Sequence, residues 1–137
     1  HHPTAVGVTL EALRMRFGPR RMWAVFEPRT NTSKRKLFQE AYTQVFGAAD
    51  QVIIASPGDQ SRIEDGNKMD SDELVRGLRA QGIEAMHLEA VDDIVATLSA
   101  NCMESDVVAI LSNGAFGGIH EKLIGELEER FAQSQSR

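Results

Sequence analysis

The sequence predicts an α/β fold, a mostly parallel sheet covered by helices on both faces in three layers. Three observations predict it. Apolar stripes of helical period alternate strictly with short apolar runs of strand length, in the order αβαβαβαβα. The 137 residues are the size of one domain, able to bury roughly two-thirds of the surface the unfolded chain exposes. Apolar residues make up 42% of the chain and charged residues 26%, which excludes collagen-like, coiled-coil and disordered readings.

The elements follow in order. Val6, Leu10, Leu13 and Phe17 form one helical stripe, with Thr4 as N-cap and Gly18-Pro19 as its stop. Residues 22–26 (Met-Trp-Ala-Val-Phe) are an apolar run between turn residues, a buried strand. Leu37, Phe38, Ala41 and Val45 mark a second helix that stops at Gly47. Residues 52–55 make the second strand, and Ser56-Pro57-Gly58 is a strong turn signal. A long polar loop over 57–70 leads to a third helix, capped by Asp70 or Ser71, with Leu74, Val75 and Leu78 inside and Gly82 as its stop. Residues 85–88 are a weaker strand, in which His87 reads as a core residue. Ile94, Val95 and Leu98 give a fourth helix opened by Asp92 and Asp93, with Cys102 as a small buried side chain at its end. Residues 107–111 are the clearest strand. Ile119, Leu123, Leu127 and Phe131 define a closing helix, followed by a polar tail over 133–137.

Charge is uneven. Residues 1–36 hold eight basic side chains against two acidic ones, although the whole chain carries −5. A basic front on an acidic protein suits a small anionic ligand, a carboxylate or phosphate, better than a nucleic-acid duplex. Nucleic acid is not expected as a partner, because Trp23 and Phe26 sit in a strand that reads as buried. No apolar run approaches a membrane span, and the N-terminus lacks a basic-then-apolar leader. The single Cys102 cannot form an internal disulfide, which fits a reducing compartment. The chain opens at His1 without methionine and enters a helix almost at once. It therefore reads as a piece of something longer, although His1-His2 also reads as the scar of a purification tag.

In a parallel α/β sheet ligands bind beyond the carboxyl ends of the strands, here residues 27–34, 56–70 and 112–118. Ser112-Asn113-Gly114-Ala115-Phe116-Gly117-Gly118 follows the best strand and opens the last helix. Its glycines let a ligand approach backbone amides and the positive helix end. It is not G-x-G-x-x-G, and the chain has no complete phosphate-binding G-x-x-x-x-G-K-[ST]. Glu27-Pro28-Arg29-Thr30-Asn31-Thr32-Ser33-Lys34 gathers a guanidinium, an amide, hydroxyls and an ammonium after the first strand. Two such loops on neighbouring strands make a carboxylate or phosphate pocket. His120-Glu121 has no second histidine at helical spacing, so no metal site is expected, and no Ser-His-Asp set assembles from the sequence.

Three segments resemble a known family. His1-His2-Pro3-Thr4 leading into a helix resembles the opening of the C-terminal domain of the Mur ligases, the ATP-dependent amide ligases of bacterial cell-wall peptide assembly. In that family Asp-Asp-Tyr ordinarily precedes this segment, and it is absent here. Phe26-Glu27-Pro28-Arg29-Thr30-Asn31-Thr32 and the stretch from Ser112 through Gly118 to Ile119-His120-Glu121-Lys122 resemble one branch of the family. That branch, the UDP-N-acetylmuramate:L-alanyl-γ-D-glutamyl-meso-diaminopimelate ligases (murein peptide ligases), attaches a whole tripeptide. The muramate–alanine branch typically has Phe-Gln-Pro-His at the first of these places.

The resemblance implies that residues 1–137 form a single Rossmann-like lid that presents the amine-bearing substrate. It also implies a longer cytoplasmic parent whose central domain binds most of the ATP and Mg²⁺, leaving no catalytic residue in this piece. The implied partners are UDP-N-acetylmuramate, the tripeptide L-Ala-γ-D-Glu-meso-diaminopimelate, and the parent's own central and N-terminal domains. His1 and His2 would lie at the nucleotide edge. Arg29, Asn31, Thr32, Lys34, Asn113, Gly114, Ala115, Phe116 and Gly117 would bind substrate. The competing reading is a free-standing Rossmann-like module for an anionic metabolite.

Overall fold

The computed structural model describes residues 3–28, 39–56, 70–112 and 114–135. Strand β1 (Met22–Phe26) is buried at all five positions, because it lies inside the sheet with helices on both sides. It pairs in parallel with β2 (Gln51–Ala55) and with β4 (Val107–Leu111), and β2 pairs in parallel with β3 (Glu84–Leu88). The order is β3-β2-β1-β4, so the α/β sandwich with a parallel sheet is the observed architecture.

Alternation along the strands sorts the core into two halves. Met22, Ala24, Phe26, Val52 and Ile54 face α1 (Pro3–Phe17), α2 (Gln39–Thr43) and α3 (Ser71–Ala80), which contribute Val6, Leu10, Tyr42, Leu74, Val75 and Leu78. Trp23, Val25, Ile53 and Ala55 face α4 (Val91–Asn101) and α5 (Ile119–Gln135), which contribute Ile94, Val95, Leu98, Ile119 and Leu123. Each fully buried aliphatic or aromatic side chain contributes roughly 1.5–3 kcal/mol, so both faces are needed to hold the sheet. Phe26 anchors the first half, with its ring centroid 4.9 Å from Tyr42 and 5.8 Å from Phe46. Burial pushes the Tyr42 phenol up to about 12.

Several boundaries differ from expectation, each for a local reason. Helix α1 already includes Pro3, so Thr4 is not its N-cap: proline's preset φ and missing N–H suit a first turn. Asp70, not Ser71, caps α3 by accepting from the amides of Asp72 and Glu73, while the Ser71 hydroxyl donates to the buried Ala55 carbonyl at 3.0 Å. Helix α4 opens at Val91 after Ala90, with Asp92 and Asp93 in its first turn where acids complement the dipole. Helix α2 ends at Thr43, before Gly47, and the expected Leu37 and Phe38 lie outside the described residues. The polar residues after Phe131 continue α5 to Gln135, because helical hydrogen bonding does not require an apolar face. Helices α2 and α3 approach closely at Gly77, where a Cβ would stand 2.8 Å from the Thr43 Cγ2.

Candidate functional site at the carboxyl ends of the strands

The strand order creates a crevice. The chain moves outward from β1 to β2 and β3, then crosses back to place β4 on the other side of β1. The connections after β1 and β4 therefore diverge to opposite faces, and their first residues flank a switch point. Glu27 follows β1 and Ser112 follows β4. The Ser112 hydroxyl donates to the Glu27 carboxylate at 2.7 Å, and the Glu27 amide donates to the Leu111 carbonyl at 3.0 Å. The Gly114 amide in turn donates to the Ser112 oxygen at 3.1 Å. The two loops singled out by the sequence thus begin as neighbours, joined at their roots.

Beyond Gly114 the backbone is left-handed at three successive residues: Phe116 (φ 47°), Gly117 (φ 58°) and Gly118 (φ 72°). A bulky residue in this region costs roughly 1–2 kcal/mol. Phe116 tolerates it because its ring is 1% exposed, packed into the core half that holds Trp23 and Ile119. Burial of the ring is worth roughly as much as the strain costs, or more. The aromatic side chain is therefore a pin for the turn and presents no surface to a ligand. Gly117 is pressed against α4, and a Cβ there would meet the Val91 Cγ2 at 3.0 Å. Gly114, Ala115, Gly117 and Gly118 are exposed, so the turn offers backbone at the start of α5.

A second polar group sits at the ends of β2 and β3. His87 is not a core residue. Its register partner is Ile54, and its ring reaches Ser56, just past β2, and Asp72, in the first turn of α3. Ser56 Oγ lies 2.8 Å from His87 Nε2, and His87 Nδ1 lies 2.8 Å from Asp72 Oδ1. The set of serine, histidine and aspartate that the sequence did not assemble is assembled by the fold. Nearby, the Gln39 side-chain carbonyl accepts from the Asp70 amide at 2.8 Å, tying the start of α3 to α2. The open cleft of ≈ 540 Å³ between α2 and α3, lined by Gln39, Glu40, Thr43, Glu73, Arg76 and Gly77, lies beside this group rather than at the switch point.

Half of the basic front faces the other way. Arg14 donates to the carbonyls of Gly18, Arg20 and Ala48 and to the Asp50 carboxylate at 2.7 Å. Arg21 pairs with Asp106 at 2.8 Å, and both residues precede their strands. The guanidiniums of Arg16 and Arg20 lie 5.5 and 5.9 Å from the Phe17 ring at the end of α1. These four cations belong to the amino end of the sheet, away from any ligand beyond its carboxyl ends. The expectation that the whole basic front serves an anion is corrected to that extent: an arginine beside a strand's first residue is close to helix C-terminal carbonyls, which it satisfies.

Of the expected site residues, Gly114, Ala115, Phe116 and Gly117 are placed as above. His1, His2, Arg29, Asn31, Thr32, Lys34 and Asn113 lie outside the described residues, as do residues 57–69. Among the described residues no group of three or more His, Cys, Asp or Glu side chains could hold a metal ion, and no helix is long and apolar enough to cross a membrane.

The profile of the Mur ligase glutamate ligase domain matches residues 1–114. The UDP-N-acetylmuramate–L-alanine ligase of Desulfitobacterium hafniense is 33% identical over 124 residues, 90% of this chain and 27% of that protein. The UDP-N-acetylmuramate–L-alanyl-γ-D-glutamyl-meso-2,6-diaminoheptandioate ligase of Escherichia coli is 31% identical over 137 residues, 98% of this chain and 28% of that protein. The crystal structure of a murein peptide ligase from Psychrobacter arcticus superposes with a TM-score of 0.76 at 30% identity, covering 93% of this chain and 26% of that one. The chain spans about a quarter of the length of the curated relatives it matches.

Proposed function

This chain belongs to the Mur ligase family, and from that premise we propose that it is the substrate-presenting C-terminal lid of a ligase that joins L-Ala-γ-D-Glu-meso-diaminopimelate to UDP-N-acetylmuramate. Residues 1–137 act in this reading as one domain of a cytoplasmic parent. One observation carries it: the Glu27–Ser112 hydrogen bond holds together the first residues after β1 and β4, the strands that the two motif segments follow in the sequence. A peptide with several carboxylates needs a bidentate cation and amide donors within one crevice. Arg29 supplies the bidentate cation, Lys34 a point charge, and Asn31 and Thr32 further polar groups, while Asn113 with the backbone of Gly114, Ala115, Phe116 and Gly117 supplies the amide donors.

The described residues offer no cage for Mg²⁺, and the sequence contains no phosphate-binding loop. In this reading ATP and Mg²⁺ are bound mainly by the parent's central domain. Activation of the muramyl carboxylate as an acyl phosphate is assigned to the parent's central domain. What this chain does is bind the peptide, orient its amine and exclude water from a hydrolysable intermediate. His1 and His2 lie at the nucleotide edge in this reading.

The choice of the tripeptide branch over the alanine branch rests on Glu27-Pro28-Arg29 in place of Gln-Pro-His, since relatives of both kinds are similar to this chain at about equal identity. In the full-length parent, Arg29→Ala should lower kcat/KM for the tripeptide at least tenfold, about 1.4 kcal/mol. Steady-state kinetics with the tripeptide and with L-alanine as alternative amines test both points. Unchanged tripeptide kinetics in the variant, or a preference for L-alanine in the wild type, would overturn this assignment.

A further inference from the structure

We propose that Ser56, His87 and Asp72 form a proton relay that deprotonates the ammonium group of the incoming peptide, an inference that rests on the ligase reading above. The geometry has the three parts such a relay requires. A hydroxyl lies 2.8 Å from an imidazole nitrogen, and the ring's other nitrogen lies 2.8 Å from a carboxylate. A carboxylate has no proton to give, so Nδ1–H donates to Asp72. That leaves Nε2 of the neutral ring to accept from the Ser56 hydroxyl.

Stability does not account for the arrangement. Asp72 is 68% exposed while the His87 side chain is only 16% exposed, and an ion pair open to water on one side contributes little. The group also stands where ligands of this fold bind. Ser56 is the first residue beyond β2, one strand spacing of about 4.8 Å from β1, whose following segment carries Arg29.

The same three residue types can also build an acyl-transfer nucleophile, and the sequence argues against that use. Proline follows Ser56, so the next residue has no backbone N–H to give to an oxyanion. A relay needs no such donor. The peptide's α-amino group, with an ordinary pKa of about 8, is mostly ammonium at neutral pH and has no lone pair for attack. In the relay the ammonium gives a proton to Ser56 Oγ as the Ser56 hydroxyl proton passes to His87 Nε2, and Asp72 holds the imidazolium formed. The freed lone pair forms the C–N bond at the activated carboxyl carbon. The C–O bond to phosphate then breaks with its electron pair, the second amine proton leaves with phosphate, and the ring's proton returns to water.

Among the described residues, the elements adjoining the ring carry charged groups. Helix α3 brings Asp72 itself, Asp70 and Glu73 in the same turn, and Arg79, whose guanidinium donates to the Ala85 carbonyl at 2.8 Å. Strand β2 brings no charged side chain, and Glu84 and Glu89 flank His87 along its own chain.

The test uses the full-length parent and the variants His87→Gln, Ser56→Ala and Asp72→Asn, with folding checked by circular dichroism. At pH 7 the first two should lower kcat for amide formation with the tripeptide at least tenfold. Amine-independent acyl phosphate formation, read as ADP release, should be unchanged. The deficit should shrink as pH rises past the amine's pKa. Interception of the acyl phosphate by hydroxylamine, an amine already neutral at pH 7, should proceed at the wild-type rate in every variant. A tripeptide deficit that is equal at all pH values, or an equal loss with hydroxylamine, would show a structural role and overturn the relay. Wild-type kcat in His87→Gln would overturn it while leaving the ligase reading intact. A wild type that makes no amide from the tripeptide would overturn both. Should His87→Gln fail to fold, Ser56→Ala alone decides by the same pH and hydroxylamine readouts.

Discussion

At the amino ends of the strands, the Asp106 carboxylate is 3% exposed and accepts from Arg21, the Trp23 indole and the Met103 amide, all within 3.0 Å. At the carboxyl ends, the Asp72 carboxylate is 68% exposed and holds a histidine that itself holds a serine. Both are aspartates beside a strand terminus, yet one is enclosed by partners and the other stands open to solvent. The Arg21 guanidinium, hydrogen-bonded to Asp106, also lies 5.2 Å from the Trp23 ring, and its pKa is raised chiefly by that hydrogen bond. Saturated clusters of this kind hold the fold. Polar groups left with one open side are the ones available to a substrate, and the division between them follows the two ends of the sheet.

Breaking the enclosed end should have the largest effect. Asp106→Ala leaves an indole N–H and an amide without their acceptor, and a guanidinium with only the Asn101 carbonyl. It should cost roughly 3 kcal/mol or more in urea-unfolding stability. A loss under 1 kcal/mol would contradict the division. Acid provides a second probe of the same end. Burial raises the Asp50 and Asp106 carboxyls, but hydrogen bonds from Met22 and Arg14, and from Arg21, Met103 and Trp23, outweigh it and hold both below the ordinary value. Groups depressed on folding stabilise above their unfolded pKa of about 3.9, and that contribution is lost as pH falls through the folded values. The urea midpoint should therefore drop as pH is lowered below about 4, and drop less steeply in Asp50→Asn.

The open end should respond more gently in stability. Gly117→Ala puts a Cβ at positive φ within 3.0 Å of Val91, costing roughly 1–2 kcal/mol and shifting the turn that Phe116 pins. Thermal unfolding and tripeptide kinetics in the parent should both register it, and an unaffected melting temperature would mean the turn is not held as described. Ser112→Ala is the smallest change. It removes a hydrogen bond to the Glu27 carboxylate and the acceptor of the exposed Gly114 amide, costing about 1 kcal/mol, and uncouples the two loop roots. Calorimetry would measure it.

Legibility in the sequence divides along similar lines. Strands β1 and β4 were readable to the residue, because a run such as Val107–Leu111 has no helical alternative of that length between turn signals. That the segments after β1 and β4 follow neighbouring strands is also legible in the sequence, and the strand pairing bears it out. Phe116 was half legible. An aromatic among glycines had to pack or to touch a ligand, and only the positive φ and the buried ring show that it packs. His87 reads as core in the sequence because its neighbours there are apolar. The partners that make it polar, Ser56 and Asp72, come from two other elements.

By itself, then, the order of apolar periods determined the α/β class, the parallel sheet and the ends of the strands at which to look. These follow from local patterning, which each segment carries alone. Only the tertiary structure decided that Arg14 and Arg21 turn away from the crevice to satisfy Asp50 and Asp106. The same holds for Ser56, Asp72 and His87, which become one hydrogen-bonded set. A charged side chain's role depends on which opposite charge lies within about 3 Å of it. That distance is set by strand order and register, across separations of 15 to 85 residues along the chain, where no periodicity of the sequence reaches.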